Sequence, residues 1–529
     1  MPFLTTVLAP CRKTQCHHRR PRNHQRMETC YVDKYHRSSL LIKLRMWAIF
    51  FVVTTIHSAH CQTFQPGATD YARPAVQMVD APMQIGEPPL PIFDPRDYGA
   101  KADGKTYDTT ALQKAIDACA GTGGSVVLFH GKFLSAHLTL RSRMTFFVKT
   151  DAVLLGGRNP TDYPVLLPKG SVDRYAGRSL LYADSVENLV LDGGGIIDGQ
   201  GPRLRMSGKE PDRPSLIRIF ESTNVVVRNV TLSNPRMWTQ IYLRCRHLLL
   251  DHLTVNSPGG YCPNLDGMDI CDGSEVVVSS CRVNSDDDSI CLKSMGPLGL
   301  QNILITNNFI SNTGANAIKL GTSTSGPVKS IRVYNNTIYS AALGGLCIES
   351  VDGSDVSDFV VRGLNMYRVS HPIFIRLAHR TGTPGSITDV LIENVGAYET
   401  GMKGQGVKSL DSSPLCPSCT ITGISKARIG RVKLKNCYIE MPGGLARIPR
   451  TPPEKETKYP QSNLLGNVPA YGIYVRHADD VVLENVYFGR YAPDARPWLK
   501  ADDAKVQTVA CQDLQLIKPL NTTIKSLNN

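Results

Sequence analysis

Helix-favouring runs are scarce in this 529-residue chain, which argues against an all-helical class. No apolar run approaches the roughly 20 residues that a membrane-spanning helix needs. No basic stripe interleaved with aromatics appears, so nothing marks a nucleic-acid partner. Cys416-Pro417-Ser418-Cys419 lacks a second pair at zinc-ribbon spacing, so it reads as a loop disulfide or a structural accident rather than a metal site. The Leu-x-x-Leu-x-Leu skeleton of leucine-rich repeats is missing as well.

The net charge of +13 is unevenly spread. Residues 1–45 hold ten Lys/Arg against Glu28 and Asp33, a surplus of +8, which leaves +5 for the other 484 residues. An anionic glycan is compatible with that balance, though the charge does not demand one. Lys43 and Arg45 precede the apolar run Met46–Ile56, and Ala59-His60-Cys61-Gln62 follows. That order is the pattern of a secretory signal peptide. Met46 is a natural start, so residues 1–61 are expected to be an N-terminal extension plus signal, and the protein to be secreted, extracellular or periplasmic, with no stable membrane span after cleavage. Eleven cysteines lie beyond residue 61, an odd number, so not all can pair internally.

Residues 62–92 are Pro-rich and read as a linker or strap. Thr109 to Ala120 carries Leu112, Ala115, Ile116 and Cys119 at helical spacing, with Asp108 or Thr109 as N-cap and Gly121 as terminator. Beyond it the chain repeats a short form, a polar residue followed by an apolar triplet. The starts are Asn188, Asn224, His247, Glu275, Asn302, Ser330, Asp358, Asp389, Arg431 and Asp480, at steps of 36, 23, 28, 27, 28, 28, 31, 42 and 49. A period near 28 with no helix points to a solenoid of parallel strands, each coil supplying about three short strands. The expected class is all-β, a parallel β-helix over 93–510 closed at its open N-terminal coil by the short helix, with a C-terminal tail at 511–529. The asparagines of these runs are expected to serve turn geometry or side-chain stacking. The long late steps imply inserted loops, one of them at 441–470.

Against this apolar background, Asn264-Leu265-Asp266-Gly267-Met268-Asp269 and Asp286-Asp287-Asp288-Ser289 stand out. Asp266 and Asp287 are 21 positions apart, so they fall on neighbouring coils and share one face. Two carboxyls about 6.5–9.5 Å apart suit inverting glycoside hydrolysis, and about 5–5.5 Å suits a nucleophile mechanism. A calcium site and a solvated turn are the rival readings.

In these segments the sequence resembles glycoside hydrolase family 28, the polygalacturonase and rhamnogalacturonase group. The resemblance runs from about Phe93 to Phe488: Asp97-Tyr98-Gly99-Ala100 and Asp103-Gly104 at the front, Gly195-Ile196-Ile197-Asp198-Gly199-Gln200-Gly201, Asn264-Leu265-Asp266, and Asp287-Asp288 continued by Ile290-Cys291-Leu292-Lys293-Ser294. It implies a right-handed β-helix, an inverting mechanism and a pectic polysaccharide or oligosaccharide as substrate, with no cofactor and no metal; a monomer is expected. Asp287 would be the general acid, with Asp266 and Asp288 activating water, while Asp269 and Asp286 give structural or electrostatic support.

Two motifs depart from the family pattern. Ala315-Asn316-Ala317 stands where Gly-His-Gly is expected, and Cys347-Ile348-Glu349 where Arg-Ile-Lys is expected. Lys319, Arg376, His379 and Arg380 are the candidates to replace the lost cations, and Asn264, Asn316 and Glu349 complete the expected sugar-contacting set. These departures leave room for a variant substrate such as rhamnogalacturonan, or for action from chain ends. A β-helix lyase and a non-catalytic glycan-binding protein are the remaining alternatives.

Overall fold

The ten apolar triplets lie one above another in parallel register. Leu189, Val225, Leu248, Val276, Ile303, Ile331, Phe359, Val390, Val432 and Val481 form one continuous row across successive coils, and all are essentially inaccessible to solvent. The computed structural model describes residues 85–166, 177–203, 213–312, 314–401 and 415–517. The export signal and residues 62–84 of the strap lie outside the described residues.

All strand–strand pairings in the ladder are parallel, from Ile92–Phe93 on Ser125–Val126 to Gln512–Leu516 on the end of the Ile473–Arg490 strand. The fold is a right-handed parallel β-helix. The ladder extends past the expected limit at 510, because Gln512–Leu516 pairs within the last coil instead of forming a tail. At the front, the described end of the Pro-rich segment is tied to the first coil: Ser125 donates its N–H to Pro91 O and its hydroxyl to Pro89 O.

A left-handed residue recurs near the start of a strand in successive coils. Eight of the ten repeat starts, Asn188, Asn224, His247, Glu275, Asn302, Ser330, Asp358 and Asp389, have φ between 53° and 58°. Asparagine tolerates this left-handed region best among non-glycine residues, because its short amide can bond locally. The amides also stack, with Asn224 Nδ2 donating to Asn188 Oδ1 at 3.1 Å and Asn485 to Asn436 to Asn394 at 3.1 Å each.

The one α-helix among the described residues, α1, spans Thr109–Cys119 and buries Ala111, Leu112, Ala115, Ile116 and Cys119. These side chains join the same core as the coils, so α1 covers the apolar end of the solenoid as its periodicity requires. Asp108 is the N-cap residue, yet its carboxylate turns backwards to accept the N–H groups of Lys101 and Ala102. The eleven cysteines of the described residues all carry free thiols, so Cys416 and Cys419 form no loop disulfide.

Candidate active site

The acids sit at one corner of the solenoid, where each coil turns into the strand stack that includes Met268–Cys271, Ile290–Ser294 and Ile318–Thr324. Backbone hydrogen bonds carry the ladder through this corner: Thr239 N to Asp266 O at 2.9 Å, Gly267 N to Asp288 O at 2.9 Å, Ser289 N to Asn316 O at 2.9 Å and Ala317 N to Gly344 O at 2.9 Å. Asp266, Asp288 and Asn316 therefore occupy the same position on three successive coils, about 4.8 Å apart per step. Gly267 makes this approach possible, since a Cβ there would stand 2.4 Å from Ser289 O.

Asp287 projects beside this row. Its own Oδ1 accepts the N–H of Asp288 at 2.9 Å, and its carbonyl accepts the Ser285 hydroxyl at 2.8 Å and the Asn312 side-chain amide. Leu265 points inward and anchors the loop, while Asn264, at φ 58°, turns outward and accepts from Arg213 Nη2 at 2.8 Å.

The three carboxyls have distinct environments. Asp288 is pinned at both oxygens, by Asn316 Nδ2 at 2.7 Å and Lys319 Nζ at 2.9 Å. Those contacts fix the orientation of its carboxyl plane. Burial, followed by the neighbouring charge of Asp288, pushes Asp287 up to about 6, with Lys319 opposing. Asp266 is fully buried with Asp269, Asp287 and Asp288 around it, so burial and then those charges push it well above the usual carboxylate range. Its Oδ1 has no hydrogen-bond partner among the described residues. Lys319 is just as buried, but the charges of Asp288 and Glu349 outweigh its desolvation and hold the ammonium well above its ordinary value.

One carboxylate oxygen each of Asp266 and Asp288 and the Cys291 thiol lie within 4.8 Å of one another, the grouping here that could hold a cation. Burial raises the Cys291 thiol, and the Lys293 and Lys319 ammonium groups already supply positive charge beside the acids. Calcium would ask for six to eight oxygens. This group offers two carboxylate oxygens and one sulfur.

The expected replacements for the cationic motif divide. Lys319 and Cys347 are register neighbours on one outward row, so a cation stands one coil before the position where the family pattern places its arginine. Lys293, outward on the preceding strand and 3.6 Å from Asp269 Oδ1, is a second buried cation that the sequence reading passed over. Strand alternation carried the signal, since Cys291 and Lys293 face outward while Ile290 and Leu292 fill the core. Glu349 is buried in the same face, and burial raises it to about 8, so below that pH it is a neutral acid rather than a repelling charge.

Arg376, His379 and Arg380 are engaged with protein. Arg376 reaches Thr422 Oγ1 at 3.4 Å, Gly423 O at 3.3 Å and the Glu454 carbonyl; His379 Nε2 meets Glu456 at 3.0 Å; Arg380 forks onto both oxygens of Asp352 at 2.9 Å. Two of these partners belong to the inserted segment at 441–470, which folds back across the coils. Its Tyr459, 47% exposed, lies with Lys319 Nζ 5.4 Å and Arg380 Cζ 5.5 Å from its ring centre. No sequence signal singled out Tyr459, 140 positions from Lys319.

The family pattern of glycosyl hydrolases family 28 matches residues 152–431. The chain belongs to that family. It is 28% identical over 317 residues to a Vitis vinifera protein described as "Probable polygalacturonase", covering 55% of this chain and 63% of that one. An exopolygalacturonase of Zea mays is 26% identical over 355 residues, covering 65% and 75% of the two chains. Among solved structures, a family 28 exopolygalacturonase of Yersinia enterocolitica superposes with a TM-score of 0.60 at 21% identity, covering 81% of this chain and 79% of the other. A Thermotoga maritima exopolygalacturonase gives 0.58 at 19% identity, covering 76% and 93%. These likenesses establish the β-helix on which the acids are mounted.

Proposed function

We propose that the chain is a secreted glycoside hydrolase that cleaves a pectic polysaccharide with inversion, Asp287 serving as general acid and Asp288, with Asp266, as general base. One observation carries this reading: a single corner holds a carboxyl pushed to about 6 next to a carboxyl whose two oxygens are bonded by Asn316 and Lys319. Asp287 is placed to give a proton and Asp288 is oriented beside it to receive one, the two roles that inverting hydrolysis needs.

In the proposed reaction Asp287 gives its proton to the leaving glycosidic oxygen as the bond from the anomeric carbon breaks. A water held between Asp288 and Asp266 attacks the opposite face, and Asp288 takes its proton. Asp266 lies beside Asp288 with an oxygen free to accept or donate, so one proton is shared over the set as it titrates. Asn316 acts by orienting Asp288, a task that needs an amide donor and no titrating group.

Lys319, Arg380 and the Tyr459 ring are the proposed contacts for a uronate sugar, ammonium and guanidinium facing its carboxylate. Glu349, neutral below about pH 8, offers a hydroxyl donor. Arg376 and His379 act through the wall they hold in place. Because that wall folds back toward the acids from the C-terminal side, it favours action at a chain end. A lyase would need a neutral lysine or arginine base, and Lys319 is held charged by Asp288.

The test is incubation with polygalacturonate, following new reducing ends, product size and the anomer first released. Inverted products of one small size are expected. Unsaturated products absorbing in the ultraviolet would establish a lyase, and binding without release would establish a glycan-binding protein. Export rests on the run from Lys43 to Gln62; N-terminal sequencing of the secreted protein should find a start near Gln62, and a mature chain beginning at Met1 would refute it.

A further inference from the structure

Upstream of the acids, on the same corner of the solenoid, the surface opens into a cavity of about 560 Å³, and a second of about 420 Å³ shares Gly104, Lys105, Arg158 and Gln200 with it. Lys105, Lys132, Arg158 and Arg203 line this groove. Its two acids are already committed. Asp103 accepts the N–H groups of Lys105 and Thr106 at 2.8 Å each, and Asp198 accepts Gln200 N at 2.7 Å and Asn234 Nδ2 at 3.1 Å. Arg158 is held by Gln200 Oε1 at 2.9 Å through Nε, which aims the guanidinium across the groove. The groove thus presents four cations against two carboxylates whose oxygens already accept backbone and amide donors.

Tyr107 lines the smaller cavity and is 43% exposed. Its hydroxyl donates to Asp162 Oδ2 at 2.7 Å, which fixes the ring at the groove. A fixed aromatic face beside cations matches the two surfaces of an acidic sugar, an apolar face of C–H groups and a carboxylate.

The wall from this groove to the acids is continuous. Arg236 donates to Gly201 O at 2.9 Å, and its guanidinium lies 6.0 Å from the centre of the Tyr261 ring. Tyr261 in turn donates to Pro235 O at 2.7 Å, from the loop that carries Asn264 and Asp266. Register carries Lys132 through Val153, Ile196, Thr231 and Thr254 to Arg282, so Asp198 lies three coils before the coil of Asp287, about 14 Å, and Lys132 lies five coils before it, about 24 Å.

We infer that the groove of Lys105, Lys132, Arg158, Arg203 and Tyr107 is a distal subsite for an acidic sugar of a chain whose other end reaches Asp287. The inference rests on the hydrolase reading for its ligand but not for its binding. All five side chains lie at the surface, so replacing them does not disturb the core.

The experiment compares wild type with Lys105→Ala/Lys132→Ala and with Tyr107→Ala, on polygalacturonate and on a short galacturonate oligomer too small to span about 24 Å. Expected is a fall of about tenfold in the ratio of kcat/KM on the long chain to that on the short one, carried by KM and shrinking as salt rises. An unchanged ratio overturns the subsite. Calorimetric binding of polygalacturonate to the same proteins separates the two readings. Weaker binding in the variants supports the groove even if the wild type releases no product, and equal binding refutes it whatever the reaction proves to be.

Discussion

Lys319→Met tests the site at its most interdependent point. The ammonium is 2% exposed and 2.9 Å from Asp288 Oδ2, and methionine keeps the length of the side chain while removing the charge. Asp288 is then left as a buried anion bonded by Asn316 alone. Breaking a buried pair on one side costs about 3–5 kcal/mol when the surviving charge must stay. The alternative is that Asp288 takes a proton, and then the proposed base is lost, a loss of about 10²–10⁴ in turnover. Either outcome is visible: urea unfolding at several pH values reads the first, and reducing-end release reads the second. Addition of Asp288→Asn should restore much of the stability, because both charges are then gone, while turnover stays low. The reasoning is refuted if Lys319→Met keeps both wild-type stability and wild-type turnover, or if the double variant is less stable than the single.

Asp287→Asn should lower kcat by about 10²–10⁴ with little change in substrate binding, measured by turnover and calorimetry side by side. With a titration near 6, wild-type activity should decline as pH rises through about 6, where the acid loses its proton, and that limb should be absent from whatever residual rate the variant retains. Burial raises Glu349 from its ordinary value of 4.5 to about 8, so the folded state holds a proton that the unfolded state gives up. Its contribution to stability is therefore lost as pH rises between those values, and Glu349→Gln should flatten the pH dependence of unfolding over that window. Tyr459→Ala should raise KM several-fold and let longer products form, since it removes the ring between Lys319 and Arg380; unchanged product sizes would remove the wall from the argument.

The solenoid was legible because its information is local and repeated: one apolar triplet per coil, with Asn or a tolerant substitute at the left-handed corner. Asp266 and Asp287-Asp288 were legible for the same reason, since a spacing near one coil places residues side by side. What the chain order hid was contact across coils. Lys319 was one candidate among four cations, and only its register beside Cys347 and its bond to Asp288 distinguish it from Arg376, which spends its donors on Thr422, Gly423 and Glu454. The loss of a cationic motif at Cys347 and Glu349 looked like a loss of charge at the site. Burial turns Glu349 neutral, and Lys293 and Lys319 restore the positive charge from earlier coils. The fold-back of 441–470 carries no periodicity, and nothing in its prolines foretells which coil it will touch.

A stack in which every coil leans only on its two neighbours behaves like a zipper under stress. The last coil, Leu499–Val509 with Gln512–Leu516, is largely exposed along its length, while α1 seals the other end. Melting should therefore start at the C-terminal end and travel inward, reaching Ile473–Arg490 before the acids. The segment bearing Tyr459 is anchored on that side of the stack, so partial fraying would release the wall while Asp266, Asp287 and Asp288 are still in register. Gentle heating would then loosen the wall around Lys319 and Arg380 before it disturbed the three acids.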